Sequence, residues 1–587
     1  MTAHAVSSTI ATGRRQLVNV REHTLLTAKW RAVWVLGLFA FVAIAAIGRI
    51  AWLGTFDAKA LPVSFDEALL PHRGEIMDRN GVPLAREISS YSLWYNPKAM
   101  GGGSPLVRSP REVAQSLVAI FPDMDLEAVT RLLASGKPGY LRKRILPEEA
   151  NRVIEIGEPA LEAPRVKERY YPQGSMAAHV LGFVTSDGKG QIGMEQVLQQ
   201  QLLSADGRAR ASELSIDTRV QGALEDELGR GMMLSAAKGA AGVVLDVETG
   251  EVLALCSLPS FDPNSVSPND VALPKALQDQ GEMPRTFNRM TNQVYELGST
   301  FKPITVATAL DAGTVTDLAR RYPASPLHIG KFTIHDHENY GASLNVAEAL
   351  IHSSNIVTAE IADELGGARL KASMEALGFN ARAHIELPAK GFPIWHSGEW
   401  PRLTTMTVAF GHGIAVTPLH LASAYAALVN GGVWHPATLH RFKAGETPMG
   451  RQVFKPATSA RIRQLLRMIA VYGTGRNANA PGFRVGGKTG SAEKPGAGGG
   501  HYNKTSLVST FAAAFPMDHP RYVVIAMFDE PQGTVATQGQ RTAAYNAAPA
   551  VGRLVPRIGP MLGVMPEERR DIDLSDLKPL IPGKAGE

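Results

Sequence analysis

One uncharged segment near the amino terminus restricts the architecture of this 587-residue chain more than any other feature. Residues 32–48 contain no Asp, Glu, Lys or Arg, and residues 50–53 extend the apolar run beyond Arg49. About 20 apolar residues are enough for a helix to cross a bilayer, and an arginine near the end can reach the headgroups. The sequence therefore predicts a transmembrane anchor over residues 32–53.

The charge of the preceding residues predicts how this anchor is oriented. Residues 1–31 contain five Lys or Arg against one acid, Glu22. Because basic flanks stay in the cytoplasm, we expect residues 1–31 to form a cytoplasmic tail and the rest of the chain to lie outside the inner membrane. A cleaved signal peptide is the alternative, since residues 58–60 have a small-x-small pattern. The long basic tail and Trp52 favour a retained anchor.

A serine and a lysine one helical turn apart are the strongest candidates for catalysis. Ser299 and Lys302 lie in residues 297–303 (LGSTFKP), and an apolar run with helical spacing comes after them. Gly298 indicates a bend and Pro303 fits only a first turn, so we expect the helix to begin at about Ser299. Lys302 can then accept the proton of the serine hydroxyl, which is a weak nucleophile until a base removes that proton.

Two motifs further along the chain carry residues that complete such a site. Ser353 and Asn355 lie in a polar break between two apolar helical patterns, which predicts a short loop between buried helices. Residues 484–491 (RVGGKTGS) indicate an edge strand whose glycines let a substrate backbone approach, and Lys488 is its cation. The candidate substrate-binding residues of this strand are Thr489, Gly490 and Ser491.

Serine-x-x-lysine, serine-x-asparagine and lysine-threonine-glycine occur here in the order of the signature shared by penicillin-binding proteins and class A β-lactamases. With the anchor and the segments at residues 73–85 and 190–195, the chain resembles a class B penicillin-binding protein over nearly its whole length. Residues 411–418 and 487–494 resemble the division-specific septal transpeptidases of that class, with elongation-type transpeptidases as the nearer alternative. Leu297 departs from the family, which usually has proline there.

The resemblance implies roles in forming an acyl-enzyme. Ser299 is expected to attack the penultimate D-alanine carbonyl of a peptidoglycan stem peptide and release D-alanine, while Lys302 accepts the proton. Which group is the acylation base is unsettled for these enzymes. Ser353 is expected to pass the proton to the leaving amine, and Asn355 to orient Lys302 and the substrate amide.

The resemblance also implies how the donor is held and how the ester is resolved. Lys488 and Thr489 suit the terminal carboxylate, and the backbone amides of Ser299 and Ser491 are expected to form the oxyanion hole beside Gly490. The amine of a neighbouring stem then attacks the ester and forms the cross-link. A β-lactam imitates the donor and stays attached. No cofactor or metal is expected.

The rest of the chain predicts an α+β architecture on a single transmembrane helix. Residues 54–214 are expected to form an elongated pedestal domain of the class B dimerisation type. Strand patterns at residues 241–255 and 507–528, with helical patterns between them, predict an antiparallel sheet covered by helices. We assign this penicillin-binding transpeptidase domain to residues 215–565 and a flexible tail to residues 566–587.

The expected partners are inferred from the domains that the sequence indicates. Nothing before residue 215 resembles a glycosyltransferase, so glycan polymerisation is expected from a polytopic membrane polymerase that acts with this chain and other division proteins. Hydrolysis, as in a carboxypeptidase or β-lactamase, needs a placed base for deacylation that the sequence does not show. A non-catalytic β-lactam sensor or scaffold remains an alternative of a different class, although residues 1–31 offer little room for signalling.

Three further patterns predict no separate function. Residues 482–489 match a nucleotide-binding P-loop, but glycines and a proline occupy the positions where that loop needs a helix. Residues 335–338 (HDHE) can bind a metal, but alternate residues point to opposite faces, which favours a solvated turn. The net charge of +5 comes without basic runs that contain aromatic residues, so nucleic-acid binding is not expected.

Overall fold

The computed structural model describes residues 25–49, 71–99, 101, 105–443, 445–446, 448–495 and 502–581. It forms two bodies, which divide after residue 70. The first contains helix α1 (Leu25–Arg49), which is long and apolar enough to cross a membrane. This helix begins before the predicted start at residue 32, and the predicted end at residues 50–53 lies outside the described residues, as does most of the predicted tail.

The second body begins with a six-stranded sheet built around one long strand. Its strands are β1 (Ile76–Met77), β2 (Pro83–Tyr95), β3 (Gly139–Ile145), β4 (Leu161–Glu162), β5 (Arg165–Tyr170) and β6 (Ser212–Glu213). Strand β2 pairs antiparallel with β1, β3, β4 and β5, because its 13 residues are long enough for several short partners. A tight turn at Asn80 and Gly81 joins β1 to β2, and Gly81 has a φ of +81°, which glycine adopts without strain.

Seven helices accompany this sheet in the described part of the pedestal. They are α2 (Pro110–Ile120), α3 (Leu126–Ala134), α4 (Pro147–Glu155), α5 (Ala178–Leu181), α6 (Gly193–Val197), α7 (Gln199–Leu203) and α8 (Ala205–Ala209). Helices α2, α3 and α4 bury their apolar faces with β2 in a core that contains Leu93, Leu117 and Val153. This core is separate from the main core, in which Ile76, Leu84 and Met194 of the pedestal are buried with residues of the next domain.

A buried carboxylate joins distant parts of the pedestal. Glu195 is fully buried, and its oxygens accept hydrogen bonds from Arg73 Nε at 2.6 Å and Arg169 Nε at 2.7 Å. Removing one partner of a buried ion pair typically costs about 3–5 kcal/mol. The segments at residues 73–85 and 190–195, which carried part of the family resemblance, therefore contribute architecture.

A five-stranded antiparallel sheet forms the centre of the next domain, in the order β15–β16–β17–β7–β8, which confirms the prediction. The domain's strands are β7 (Gly239–Asp246), β8 (Val252–Leu258), β9 (Tyr322–Pro323), β10 (Leu327–Ile329), β11 (Phe332–Ile334), β12 (Ser343–Leu344), β13 (Val433–Trp434), β14 (Arg451–Gln452), β15 (Gly486–Pro495), β16 (Tyr502–Phe515) and β17 (Tyr522–Asp529). Both ends of the domain sequence thus supply the sheet, and β15 lies at its edge.

Helices cover both faces of this sheet. They are α9 (Thr218–Leu234), α10 (Pro268–Val271), α11 (Lys275–Gln278), α12 (Lys302–Asp311), α13 (Val346–His352), α14 (Asn355–Leu365), α15 (Gly367–Ala376), α16 (Arg402–Ala409), α17 (Pro418–Val429), α18 (Pro456–Tyr472) and α19 (Ala547–Met561). Alternate residues of β17 enter different cores: Ile525 packs in the core of α12, α17 and α18, and Val524 in that of α9 and α19. The sheet is therefore buried on both sides.

Residues 566–581 differ from the predicted flexible tail. Leu574, Leu577 and Ile581 are buried in the main core, and Asp571 accepts a hydrogen bond from Arg467 Nη2 at 2.6 Å. The charged composition suggested a loose segment, but the buried apolar side chains and two ion pairs, Arg467 with Asp571 and Arg461 with Asp576, fix it to α18. Residues 582–587 lie outside the described residues.

Candidate active site

Ser299 lies in a single 3₁₀ turn, Gly298–Phe301, that runs directly into α12, which confirms the predicted helix start. Gly298 has a φ of +54°, so glycine supplies the bend that places the serine at the start of the helix. The turn is tied down from α17, where the buried Tyr425 Oη donates to the carbonyl of Thr300 at 2.9 Å. Ser299 itself is partly exposed.

Two buried lysines meet at the hydroxyl of Ser353. Lys302 and Lys488 are both fully buried. Lys302 Nζ donates to the backbone carbonyl of Ser353 and lies 3.1 Å from Ser353 Oγ, while Lys488 Nζ lies 2.8 Å from the same Oγ. The site therefore brings together three of the predicted catalytic residues, from α12, from the α13–α14 loop and from β15.

Burial changes the proton affinity of both lysines. Desolvation and the charge of Lys488 hold the pKa of Lys302 well below its ordinary value, while the carboxylate of Asp336 acts in the opposite direction. Desolvation lowers the pKa of Lys488 to about 7. Because burial and a neighbouring charge both lower the pKa of Lys302, whereas burial alone lowers that of Lys488, we assign the neutral amine to Lys302 and the cation to Lys488. A neutral Lys302 is a base that can take a proton from a hydroxyl.

The loop between α13 and α14 has the predicted position but an unexpected detail. Ser353 ends α13 in the left-handed region, with φ 63° and ψ 44°, which is uncommon for a residue other than glycine. Asn355 begins α14, and its Nδ2 donates to the carbonyl of His335 at 3.0 Å. Among the described residues no hydrogen bond joins Asn355 to Lys302, so the predicted orienting contact to that lysine is absent. Ser353 contacts the lysine instead.

Glycines bring β15 against the nucleophile turn. A Cβ at Gly490 would lie 2.4 Å from the carbonyl oxygen of Leu297 and 2.8 Å from Thr300 Cγ2, so no larger residue fits without movement. A Cβ at Gly298 would lie 3.2 Å from the carbonyl oxygen of Ser491. The edge strand and the turn that carries Ser299 are therefore in direct backbone contact, whereas the glycine pattern predicted the approach of a substrate backbone.

Two residues contribute to this site in ways that sequence reasoning missed. Thr474, in the loop after α18, places its Oγ1 2.7 Å from Thr489 Oγ1 and so helps to orient the threonine of the KTG motif. Gly411, for which the sequence suggested a substrate contact or a simple turn, packs on the nucleophile turn, since its Cβ would lie 2.2 Å from the carbonyl oxygen of Gly298. In the sequence, each of these residues is only a small residue in a glycine-rich stretch, a pattern too common to identify it as part of an active site.

The remaining site patterns also have defined positions. Strand β15 runs through Lys488 and Thr489, where a P-loop needs a helix to begin, so residues 482–489 do not form one. Ser491 Oγ accepts a hydrogen bond from Ala543 N at 3.1 Å, which directs its side chain toward the segment before α19. In the described part of the chain, no group of three or more His, Cys, Asp or Glu is placed to hold a metal ion.

Comparison with known proteins decides the family. Residues 240–551 match the penicillin-binding protein transpeptidase domain, and residues 68–220 match the penicillin-binding protein dimerisation domain. The chain belongs to the class B penicillin-binding proteins. The resemblance inferred from the three motifs is thus confirmed by both domains of this penicillin-binding protein.

Relatives of this penicillin-binding protein align over most of its length. A probable peptidoglycan D,D-transpeptidase FtsI of Caulobacter vibrioides is 36% identical over 542 residues, 91% of this chain and 89% of the relative. A probable peptidoglycan D,D-transpeptidase PenA of Neisseria gonorrhoeae is 30% identical over 86% of this chain and 89% of its own. Penicillin binding protein 3 of Mycobacterium tuberculosis, complexed with aztreonam, has the same fold, with a TM-score of 0.63, 22% identity and coverage of 86% and 99%.

The close packing of β15 on the nucleophile turn gives a test of the site. We expect Gly490→Ala to slow covalent reaction with a fluorescent penicillin on the order of 100-fold, because its Cβ would push the strand away from Leu297 and Thr300. The measurement is the second-order rate of labelling, with the melting temperature followed in parallel. Gly398→Ala is the control, since a Cβ there meets nothing within 4 Å. Equal rates for Gly490→Ala and the wild-type chain would contradict this packing argument.

Proposed function

We propose that this penicillin-binding protein is the peptidoglycan D,D-transpeptidase of the division septum. The observation that carries the activity is the convergence of a partly exposed Ser299 turn with Lys302, Ser353 and Lys488 at the edge of the sheet. This arrangement provides a nucleophile, a buried base, a hydroxyl relay and a cation in one place.

In acylation, the proton of the nucleophile moves through these groups to the leaving amine. Ser299 Oγ attacks the penultimate D-alanine carbonyl and forms an ester bond, and neutral Lys302 takes the serine proton. The C–N bond to the terminal D-alanine breaks, and Ser353, which contacts both lysines, passes the proton to the leaving amine. The proton lost from Ser299 thus reaches the amine of the released D-alanine, and Lys302 and Ser353 return to their starting protonation states.

The strand and the helix start bind the donor. The ammonium form of Lys488, together with Thr489, suits the terminal carboxylate of the stem peptide. The backbone amides of Ser299 and Ser491 would hold the oxyanion of the tetrahedral intermediate, and each such donor is worth on the order of 3 kcal/mol. The backbone contact between Gly490 and the turn supports this assignment, because it places the two segments that carry these amides side by side.

The septal role and the topology rest on sequence. Residues 411–418 and 487–494 resemble septal transpeptidases, and FtsI of C. vibrioides and of Escherichia coli align with 91% and 92% of this chain. Helix α1 supports a single-pass anchor with the catalytic domain outside the inner membrane. A polytopic membrane glycan polymerase and other division proteins would act beside it. The elongation-type role is the alternative.

Labelling the nucleophile tests the enzymatic assignment. We expect a fluorescent penicillin to form a stable adduct on the peptide that contains Ser299, and Ser299→Ala to abolish it, because the acyl-enzyme forms on that oxygen. Denaturing gels and peptide mass measurement provide the readout. Ser397→Ala, which removes the hydroxyl of an exposed serine outside the site, serves as the control and should label like the wild-type chain. Adduct retained by Ser299→Ala would contradict the assignment, and rapid turnover of the drug would identify a hydrolase.

The rate of acylation should depend on pH through Lys302. We expect the rate to rise as pH increases through the pKa of Lys302, since only the neutral amine accepts the serine proton. Burial and Lys488 lower that pKa, so the acid limb should lie well below the ordinary lysine range. Penicillin labelling across a pH series measures the limb. Lys302→Arg, which stays charged, should not label at any pH, and a rate independent of pH would contradict the proposal.

Cellular position distinguishes septal from elongation function. We expect a fluorescent fusion of the full chain to collect at the division site, and depletion of the protein to produce filaments that elongate without dividing. A matched Ser299→Ala fusion should reach the same place without restoring division, because its fold is unchanged. Uniform side-wall fluorescence with rounded cells after depletion would support the elongation-type alternative.

A further inference from the structure

Asp336 binds the first turn of α14 from a distant part of the chain. It lies in the loop after β11 and is half-buried. Its Oδ1 accepts hydrogen bonds from the backbone N–H of Asn355 at 2.5 Å and of Ile356 at 3.1 Å. Its Oδ2 accepts one from the hydroxyl of Ser354 at 2.6 Å. Three consecutive residues after Ser353 are thus held by one carboxylate.

This contact is additional to the ordinary cap of the helix. Ser354 is already the N-cap of α14, and its Oγ accepts from the backbone N–H of Val357 at 3.1 Å. The first N–H groups of a helix lack partners within the helix, and a negative charge is favourable at that end. Asp336 and Ser354 together satisfy the amides of residues 355–357, so the start of α14 has little freedom to move.

The fixed helix start limits the conformation of Ser353. This residue has left-handed backbone angles, which non-glycine residues keep only when their surroundings determine them. Helix α13 holds Ser353 from one side, and the residues bound by Asp336 hold it from the other. The position of Ser353 Oγ between Lys302 and Lys488 therefore depends on the carboxylate.

Asp336 also supplies charge to the lysine cluster. The charged or titratable groups that act on Lys302 come from three elements: Lys488 on β15, His412 in the loop before α17, and Asp336. Lys488 favours the neutral form of Lys302, and Asp336 favours the charged form. Among the described residues, Asp336 is the acid whose charge opposes the effect of Lys488 on Lys302.

We propose that Asp336 is a positioning residue for acyl transfer: it holds Ser353 in the relay position and provides the negative charge that acts on Lys302 against the charge of Lys488. The inference rests on the proposed function and deepens it. It also corrects the interpretation of residues 335–338, because Asp336 lies in a bonded, half-buried position, whereas a solvated turn was expected. Sequence spacing alone could not indicate a partner 19 residues away.

Three variants of the full chain separate the two parts of this role. Asp336→Ala removes both the hydrogen bonds and the charge. Asp336→Asn keeps an oxygen that accepts from the backbone amides of Asn355 and Ile356 but removes the charge. Glu338→Gln removes an exposed carboxylate from the same loop and serves as the matched control. Fluorescent penicillin labelling across a pH series measures the rate for each, with melting temperatures to show that the variants fold.

We expect Asp336→Ala to slow labelling on the order of 100-fold, because Ser353 loses its fixed position. Asp336→Asn should recover most of that rate, with its acid limb moved to lower pH, since losing the negative charge lowers the pKa of Lys302 further. Glu338→Gln should match the wild-type chain. A helix cap without an electrostatic role would not move the limb.

The opposite results would overturn the inference. A wild-type rate in Asp336→Ala would show that the carboxylate does not position Ser353, and an unmoved acid limb in Asp336→Asn would remove the electrostatic role. If Asp336→Ala fails to fold, Asp336→Asn decides alone, by its rate and its limb. Labelling of the wild-type chain at Ser299 is a separate control on the proposed function, and its absence would overturn that function together with this inference.

Discussion

The meeting of two buried lysines at one serine hydroxyl is the interaction on which the rest of this structure depends. Lys302 and Lys488 are fully buried, and moving an ammonium group from water into a protein interior is costly unless it loses its proton or gains partners. Ser353 gives both amines an oxygen, and burial lowers the pKa of both. Desolvation of the two amines destabilises the folded state. The same desolvation lowers the pKa of Lys302 and so makes it a base.

The architecture is arranged to bring these three side chains together. They come from a helix start, a loop between helices and an edge strand, which are far apart in sequence. The sheet is packed on both faces, so β15 is fixed on one side by β16 and leaves its other side open to a substrate. Gly490 and Gly298 then allow the strand and the nucleophile turn to touch. The packed cores thus fix the positions of a helix start, a loop and an edge strand, which together form the site.

The sequence predicted the parts of this site that depend on local spacing. The placement of Ser299 and Lys302 one helical turn apart could be inferred without a structure. So could a close backbone approach at the glycines of β15, although the sequence assigned that approach to a substrate and the structure shows it for the nucleophile turn. The role of Asp336 could not be inferred, because it depends on three hydrogen bonds to the start of a helix 19 residues later in the chain. The fold class was likewise predictable from strand patterns at both ends of the domain with helical patterns between them, whereas the burial of Leu574 and its neighbours in a charged tail depends on tertiary packing.

The lysine cluster also connects activity with stability. A lysine whose folded pKa lies below 10.5 binds fewer protons when folded than when unfolded, over the pH range between the two values. For Lys488, with a folded pKa of about 7, that range begins near neutrality, and there the folded state gains stability as pH rises. At neutral pH the domain therefore gives up part of its stability to keep these amines buried. Apolar burial in the two cores on either side of the sheet contributes stability that offsets this loss.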